Sequence, residues 1–199
     1  MPRREVSLSQ GRQYNGSAMD WVSSRRPPRP RGWRGASDTG GVYFVPAFVG
    51  LGTPHWEPDA RGTITGLTRG TSRAHLARAS LEAMAHSSAD LLETMASSER
   101  LAVPALRVDG GAAANDWLMQ FQADVLGITV ERPDLVETTA LGAAGLAGLA
   151  LGVWRSTDQF VQQRKFRCFE PAMDSATRKQ HRTEWHRAVE TTLAWARAR

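Results

Sequence analysis

One cysteine, Cys168, occurs in 199 residues. A single thiol excludes an intramolecular disulfide and any cysteine-rich metal centre, and it fits a reducing cytoplasm. The chain also lacks the uninterrupted apolar run of ~20 residues that a membrane-crossing helix needs. Its opening, MPRREVSLSQ, has no apolar stretch behind the basic start, so nothing there reads as a secretory leader. Neither a P-loop nor a GxGxxG fingerprint is present. The five histidines share no metal-ligand spacing, and His75 and His86 read as helix-surface or hydrogen-bonded residues. No metal site is expected from the pattern.

Excess positive charge is missing from most of the chain. The formal net charge is +5, which taken alone suggests a nucleic-acid partner. Residues 1–37 carry eight arginines against Glu5 and Asp20, and residues 38–199 carry 17 basic against 18 acidic side chains. The basicity therefore belongs to an arm. SRRPPRPRGWRGAS is rich in Arg, Pro and Gly and cannot form a core. Residues 1–37 read as a disordered arm, with nucleic-acid binding as the weaker alternative, and residues 38–199 as the folded domain.

Order begins near Asp38. GVYFVPAFVG reads as a strand that Pro46 limits to an edge or bulge. GTPHWEPDARG is a loop, and GTITGL a second short strand with Ile64 and Leu67 as candidate core contacts. Thr71 or Ser72 caps a long helix with apolar or small residues at Ala77, Leu81, Met84, Ser88, Leu91 and Met95. PALRVDGG is a strand. Asn115 to Leu126 is an amphipathic helix with Leu118, Phe121 and Val125 on one face, stopped by Gly127. ITVERP is a strand, TALGAAGLAGLALGVW a small-residue helix, and Asp174 to Arg199 a charged amphipathic helix. Strands first, then alternating helix and strand, predict an α/β domain with a mixed sheet.

The stretch LRVDGGAAAND places Gly110 and Gly111 between a strand end and a helix start. Glycine accepts positive φ and presents no side chain, so a flat or anionic ligand can lie against the backbone there. The following helix adds unpaired N–H groups and a positive dipole end. In open α/β sheets ligands bind at the carboxyl ends of strands, where Asp109–Gly111 falls. The pattern is more often that of a plain tight turn, and Asn115 reads equally as a helix N-cap.

With those residues in view, LRVDGGAAANDWLMQFQADVLG resembles the adenosine motif of the sugar-kinase/actin/Hsp70 ATPase superfamily. More narrowly it is similar to the C-terminal domain of glycerol kinases in the FGGY carbohydrate kinase family. GVYFVPAFVGLGTPHW, Gly62 to Glu82, and ERPDLVETTALGAAGLAGLALGVW resemble further family segments in the same order. The resemblance implies a ribonuclease-H-like α/β domain, a mixed sheet flanked by helices. Such a domain is one of two that clamp ATP or ADP, with Mg²⁺ and glycerol engaged in the complete enzyme. By position it assigns Gly110, Gly111 and Asn115 to the nucleotide. NGSAMDWVSS more faintly resembles another nucleotide-site segment, with Gly16 at a nucleotide-contacting glycine. Asp20 stands where the family has glutamine, so an amide donor is lost and negative charge is added near the nucleotide.

The resemblance also marks what is missing. The family's phosphate-binding loop, catalytic aspartate and glycerol-binding residues lie N-terminal to the matching segments, so no catalytic residue is assigned here. Asp109 reads as a turn former. Residues up to about Ala36 read as the trace of a truncated or frame-shifted longer gene. The isolated chain is expected to be inactive, and self-association through a lost interdomain surface is the competing reading. Thr53 and His55 replace the usual alanine and tyrosine. Gly145 replaces a tyrosine, a loss that leaves a cavity costing on the order of 3–5 kcal/mol unless neighbours repack.

Overall fold

The computed structural model describes residues 6–8, 37–99, 103–162 and 164–198. Among the described residues six strands and five α-helices follow in order: β1 (Val6–Leu8), β2 (Tyr43–Val45), β3 (Thr63–Thr65), α1 (Arg73–Glu99), β4 (Ala105–Val108), α2 (Asp116–Leu126), β5 (Thr129–Pro133), α3 (Thr138–Ala150), α4 (Thr157–Gln162), β6 (Phe166–Phe169) and α5 (Ser175–Arg197). A short 3₁₀ turn, Gly111–Ala114, separates β4 from α2.

Four strands form one mixed sheet in the order β1-β4-β5-β6. β1, β4 and β5 run parallel, in register Val6↔Leu106 and Leu106↔Val130, and β6 closes the edge antiparallel with Val130↔Phe169. β2 and β3 form a separate antiparallel pair. The alternation in PALRV is realised: Leu106 and Val108 are buried, and Arg107 between them is partly exposed. β2 ends at Val45, one residue before Pro46, which has no N–H for a ladder.

Helix termini follow their local chemistry. Asn115 Oδ1 accepts from Leu118 N at 3.2 Å and Asp174 Oδ1 accepts from Ala176 and Thr177 N, each at 2.9 Å. Gly127 ends α2 in the left-handed region, φ 69°, with its N–H donating to Ala123 O. An added Cβ there would also crowd the Arg178 guanidinium, which would have to shift; the positive φ is what favours glycine.

The main core joins Leu81, Ala85, Ala89 and Leu92 of α1 to Leu106, Val108, Val130 and the Leu118, Met119, Phe121, Val125 face of α2. A second cluster packs Trp185, Val189 and Leu193 of α5 on Val45 and Ala83. At this α1–α5 seam Arg182 Nη2 bonds Asp90 Oδ1 at 2.5 Å and Glu93 Oε2 at 3.0 Å, and its Nη1 donates to His86 O at 3.1 Å. Trp185 Nε1 donates to Asp90 Oδ2 at 2.8 Å.

Five readings from the sequence change. Val6–Leu8, inside the stretch read as an arm, is a strand: three residues are too few to show a period, but their backbone completes the β4 edge. Ile64 and Leu67 are not core contacts, being 36% and 59% exposed: among the described residues little packs over Ile64 of β3, and Leu67 lies in the loop beyond that strand. Of the two readings of His86 the surface one fails, since α1 is covered by β2 on one side and α2 on another and the residue is fully buried, while its Nδ1 meets Arg182 Nη1 at 3.4 Å. β6 and α4 arise where no element is expected. The cavity anticipated at Gly145 is filled: the Phe160 ring lies 2.6 Å from where a Cβ would stand, and Trp154 packs likewise on Gly148.

Candidate functional site

The glycine turn stands at the carboxyl end of β4. Gly110 has φ 81° and ψ 177°, a backbone region essentially closed to other residues. That geometry turns its N–H onto Val136 O at 2.8 Å, while its carbonyl accepts from Ala113 N at 3.1 Å. The first bond ties the turn to the segment leaving β5, so the ends of two parallel strands are held side by side. Gly111 is exposed and opens the 3₁₀ turn that leads to Asn115 and α2.

Two helix amino ends converge here. α2 begins just after the turn. α3 begins at Thr138, whose hydroxyl donates to Asp109 Oδ2. Asp109 is thereby a tie between the β4 end and the α3 start. Below them a concavity of about 230 Å³ is lined by Arg107, Val108, Asp109, Pro133, Thr138 and the arginine–aromatic pair Arg164 and Phe166. Arg107 Nε holds Glu131 Oε2 at 2.9 Å and its guanidinium lies 4.5 Å from the Phe166 ring centre.

The far side of the turn is braced by charge. Arg132 Nη1 reaches Asp116 Oδ1 at 2.8 Å and Ala113 O at 2.8 Å, and Arg167 Nη1 reaches Asp116 Oδ2 at 2.7 Å. The two guanidinium groups hold the Asp116 carboxyl below the usual carboxylate range. Asp116 also sits in the first turn of α2, where negative charge suits the dipole. The turn is therefore held from both sides by hydrogen bonds and ion pairs.

The site residues expected from sequence divide into two groups. Gly110, Gly111 and Asn115 lie together on one turn. Gly16 and Asp20 lie outside the described residues. The cap role of Asn115 is realised, with Oδ1 committed to Leu118 N. The brace of Arg132, Asp116 and Arg167 was not foreseen; its members are 16 to 51 residues apart and only the β5–β6 pairing brings them together. Among the described residues no helix is long and apolar enough to cross a membrane.

Residues 3–151 match the family model of the FGGY family of carbohydrate kinases, C-terminal domain. A glycerol kinase from Dechloromonas aromatica is 56% identical over 163 residues, 81% of this chain and 32% of that protein. Glycerol kinase 1 of Clostridium tetani is 46% identical over 201 residues, 98% of this chain and 40% of that protein, so the likeness extends through the N-terminal segment. The chain spans about a third of the length of the curated relatives it matches. Among solved structures, a Plasmodium falciparum glycerol kinase crystallised with ADP superposes with TM-score 0.75 at 35% identity. It covers 88% of this chain, which covers 35% of it. A xylulose kinase from Rhodospirillum rubrum, at 22% identity and TM-score 0.67 over 90% of this chain and 38% of that one, carries the likeness of fold alone.

Proposed function

The chain belongs to the FGGY family of carbohydrate kinases through its C-terminal domain, and from that premise we propose that it is the ATP-binding lobe of a glycerol kinase, seating adenosine on the Gly110–Gly111 turn. The observation that carries this reading is the backbone of Gly110 at φ 81° and ψ 177° beside an exposed Gly111. A side chain at either position would stand where the purine or ribose has to lie. The similar Plasmodium protein was crystallised with ADP, which supports an adenine nucleotide over other flat ligands.

Each neighbouring group then has a task. The amino ends of α2 and α3 supply positive potential toward the phosphates. Asn115, with Oδ1 committed to the cap, offers its amide nitrogen to the nucleoside. Asp109 is held by Thr138 and orients the turn rather than accepting a substrate proton. Phosphoryl transfer to glycerol needs a carboxylate base and Mg²⁺ bridging the phosphates. We assign both to the part of the kinase length that this chain does not span. Gly16 and Asp20 belong to the same proposal, as a second nucleotide-facing segment. The exposed Leu146, Leu151, Val153 and Val161 on and around α3 and α4 give that missing part an apolar surface to meet.

Two assays on the full chain test this. ADP raises its melting temperature in a saturable way, and ATP with Mg²⁺ and glycerol gives no glycerol 3-phosphate above a no-enzyme control. Turnover from a clean preparation, or a melting temperature indifferent to ADP, contradicts the reading.

A further inference from the structure

We propose that Glu82, His86 and His181 form a binding site for a divalent transition-metal cation of the zinc class, clamping helix α5 to helix α1. One ligand atom from each of the three lies within 4.8 Å of the other two. Glu82 and His86 are one helical turn apart on α1, so both project from the same face. His181 comes from α5, across the seam.

The unsatisfied atoms at this seam point to a ligand. His86 is fully buried and its Nε2 has no hydrogen-bond partner, and Nδ1 of His181 is likewise buried without one. A buried polar nitrogen without a partner is costly, and two in one cluster call for a shared occupant. Aromatic rings fix both imidazoles. His86 stacks on Trp185 with ring centres 5.0 Å apart, and the Phe121 ring meets His86 edge-on at 5.7 Å and His181 at 5.6 Å. Rings held this way aim their lone pairs at little entropic cost.

The chemistry of the set selects the cation. Two imidazole nitrogens and one carboxylate oxygen, with water in the fourth position, match zinc-like coordination rather than the all-oxygen shells of Mg²⁺ or Ca²⁺. His86 Nδ1 lies 3.4 Å from Arg182 Nη1, so ligation through the unpartnered Nε2 requires the ring to carry its one proton on Nδ1. With Zn–N near 2.0 Å, tetrahedral ligand atoms stand about 3.4 Å apart, a spacing compatible with three atoms that already lie within 4.8 Å of one another. Arg78 Nε, now 2.8 Å from Glu82 Oε1, is the competitor the metal has to displace. A second acid–histidine group, Asp90, Glu93 and His186, does not compete. Both Asp90 oxygens are already taken, by Arg182 and Trp185.

The test is zinc titration of the full chain after chelator treatment, by calorimetry, with Co²⁺ replacing Zn²⁺ as the spectroscopic probe. One Zn²⁺ per chain is expected, with tetrahedral Co²⁺ absorption in the visible. His181→Gln and Glu82→Gln each weaken binding at least tenfold, while His186→Ala leaves it unchanged. Circular dichroism of each variant establishes that it is folded; His181 is only half-buried, so its replacement leaves the core intact. No Zn²⁺ uptake by the folded wild-type chain overturns the proposal. So does wild-type affinity in folded His181→Gln, or loss of binding in His186→Ala.

Discussion

Arg182 on α5 and Asp90 on α1 meet at 2.5 Å with both side chains more than nine-tenths buried, 92 residues apart in sequence. Glu93 and the His86 carbonyl take the other guanidinium hydrogens, and Trp185 takes the second Asp90 oxygen. The pair is thus fully hydrogen-bonded, the condition under which a buried ion pair holds together. Removing one partner strands a charge away from water. Arg182→Met is expected to lower unfolding free energy by about 3–5 kcal/mol in urea titration. Adding Asp90→Leu to it should recover part of that loss. A single-variant cost below about 1 kcal/mol would contradict the buried-pair reading.

Gly110 makes a second prediction. Its φ of 81° with ψ 177° is open only to glycine. Gly110→Ala should cost ~1–3 kcal/mol of stability through backbone strain. Because the strain relaxes by moving the turn, ADP affinity should fall with it. Thermal unfolding with and without ADP reads both effects.

Asn115 separates structure from binding. Asn115→Ala removes the cap bond to Leu118 N and should cost ~1 kcal/mol. Asn115→Asp keeps a capping oxygen, so stability should stay within a few tenths of a kcal/mol of wild type. Its carboxylate, however, loses the amide donor and repels the nucleotide phosphates, so ADP affinity should drop. Unchanged ADP binding in folded Asn115→Asp would remove Asn115 from the nucleotide site.

The seam histidines give the stability a pH dependence. His86 and His181 both resist protonation in the folded chain, chiefly because they are buried; Arg182 opposes it further at His86, and Arg78 at His181. In the unfolded chain they titrate near pH 6.5. Stability is therefore fully present above about pH 6.5 and declines as the pH falls toward the lower folded-state values, because only the unfolded chain takes up the protons. Glu82 acts in the opposite sense, since burial raises its carboxyl above the usual range. Comparing wild type with His181→Gln isolates the imidazole contribution. The urea midpoint should fall between about pH 7.5 and 5.5, and fall less in the variant. Equal falls in both would contradict the assignment to this seam.

Much of this arrangement is written locally. The alternation in PALRV, the Asn115 and Asp174 caps and the Gly127 stop each act within a few residues, so sequence alone places β4, α2 and the start of α5. The glycine turn is legible for the same reason. Phe166–Phe169 is not, because four residues of alternation amid Arg and Lys become a strand only when β5 offers a partner. His86 is the clearest case of the limit. Its stacking partner Trp185 lies 99 positions on, and its helix is wrapped on several sides, so no spacing rule distinguishes it from a surface histidine. Ile64 and Leu67 fail conversely: their pattern suggests a core, but among the described residues both stand exposed, Ile64 on β3 and Leu67 in the loop after it.

Calorimetric titration of the full chain with ADP, alongside Gly111→Val, tests the nucleotide seat most directly. Saturable one-to-one binding by the wild type, lost in a variant with the same circular dichroism, is the predicted result. A folded wild-type chain that gives no heat with ADP, or a Gly111→Val chain that binds as well, would contradict it.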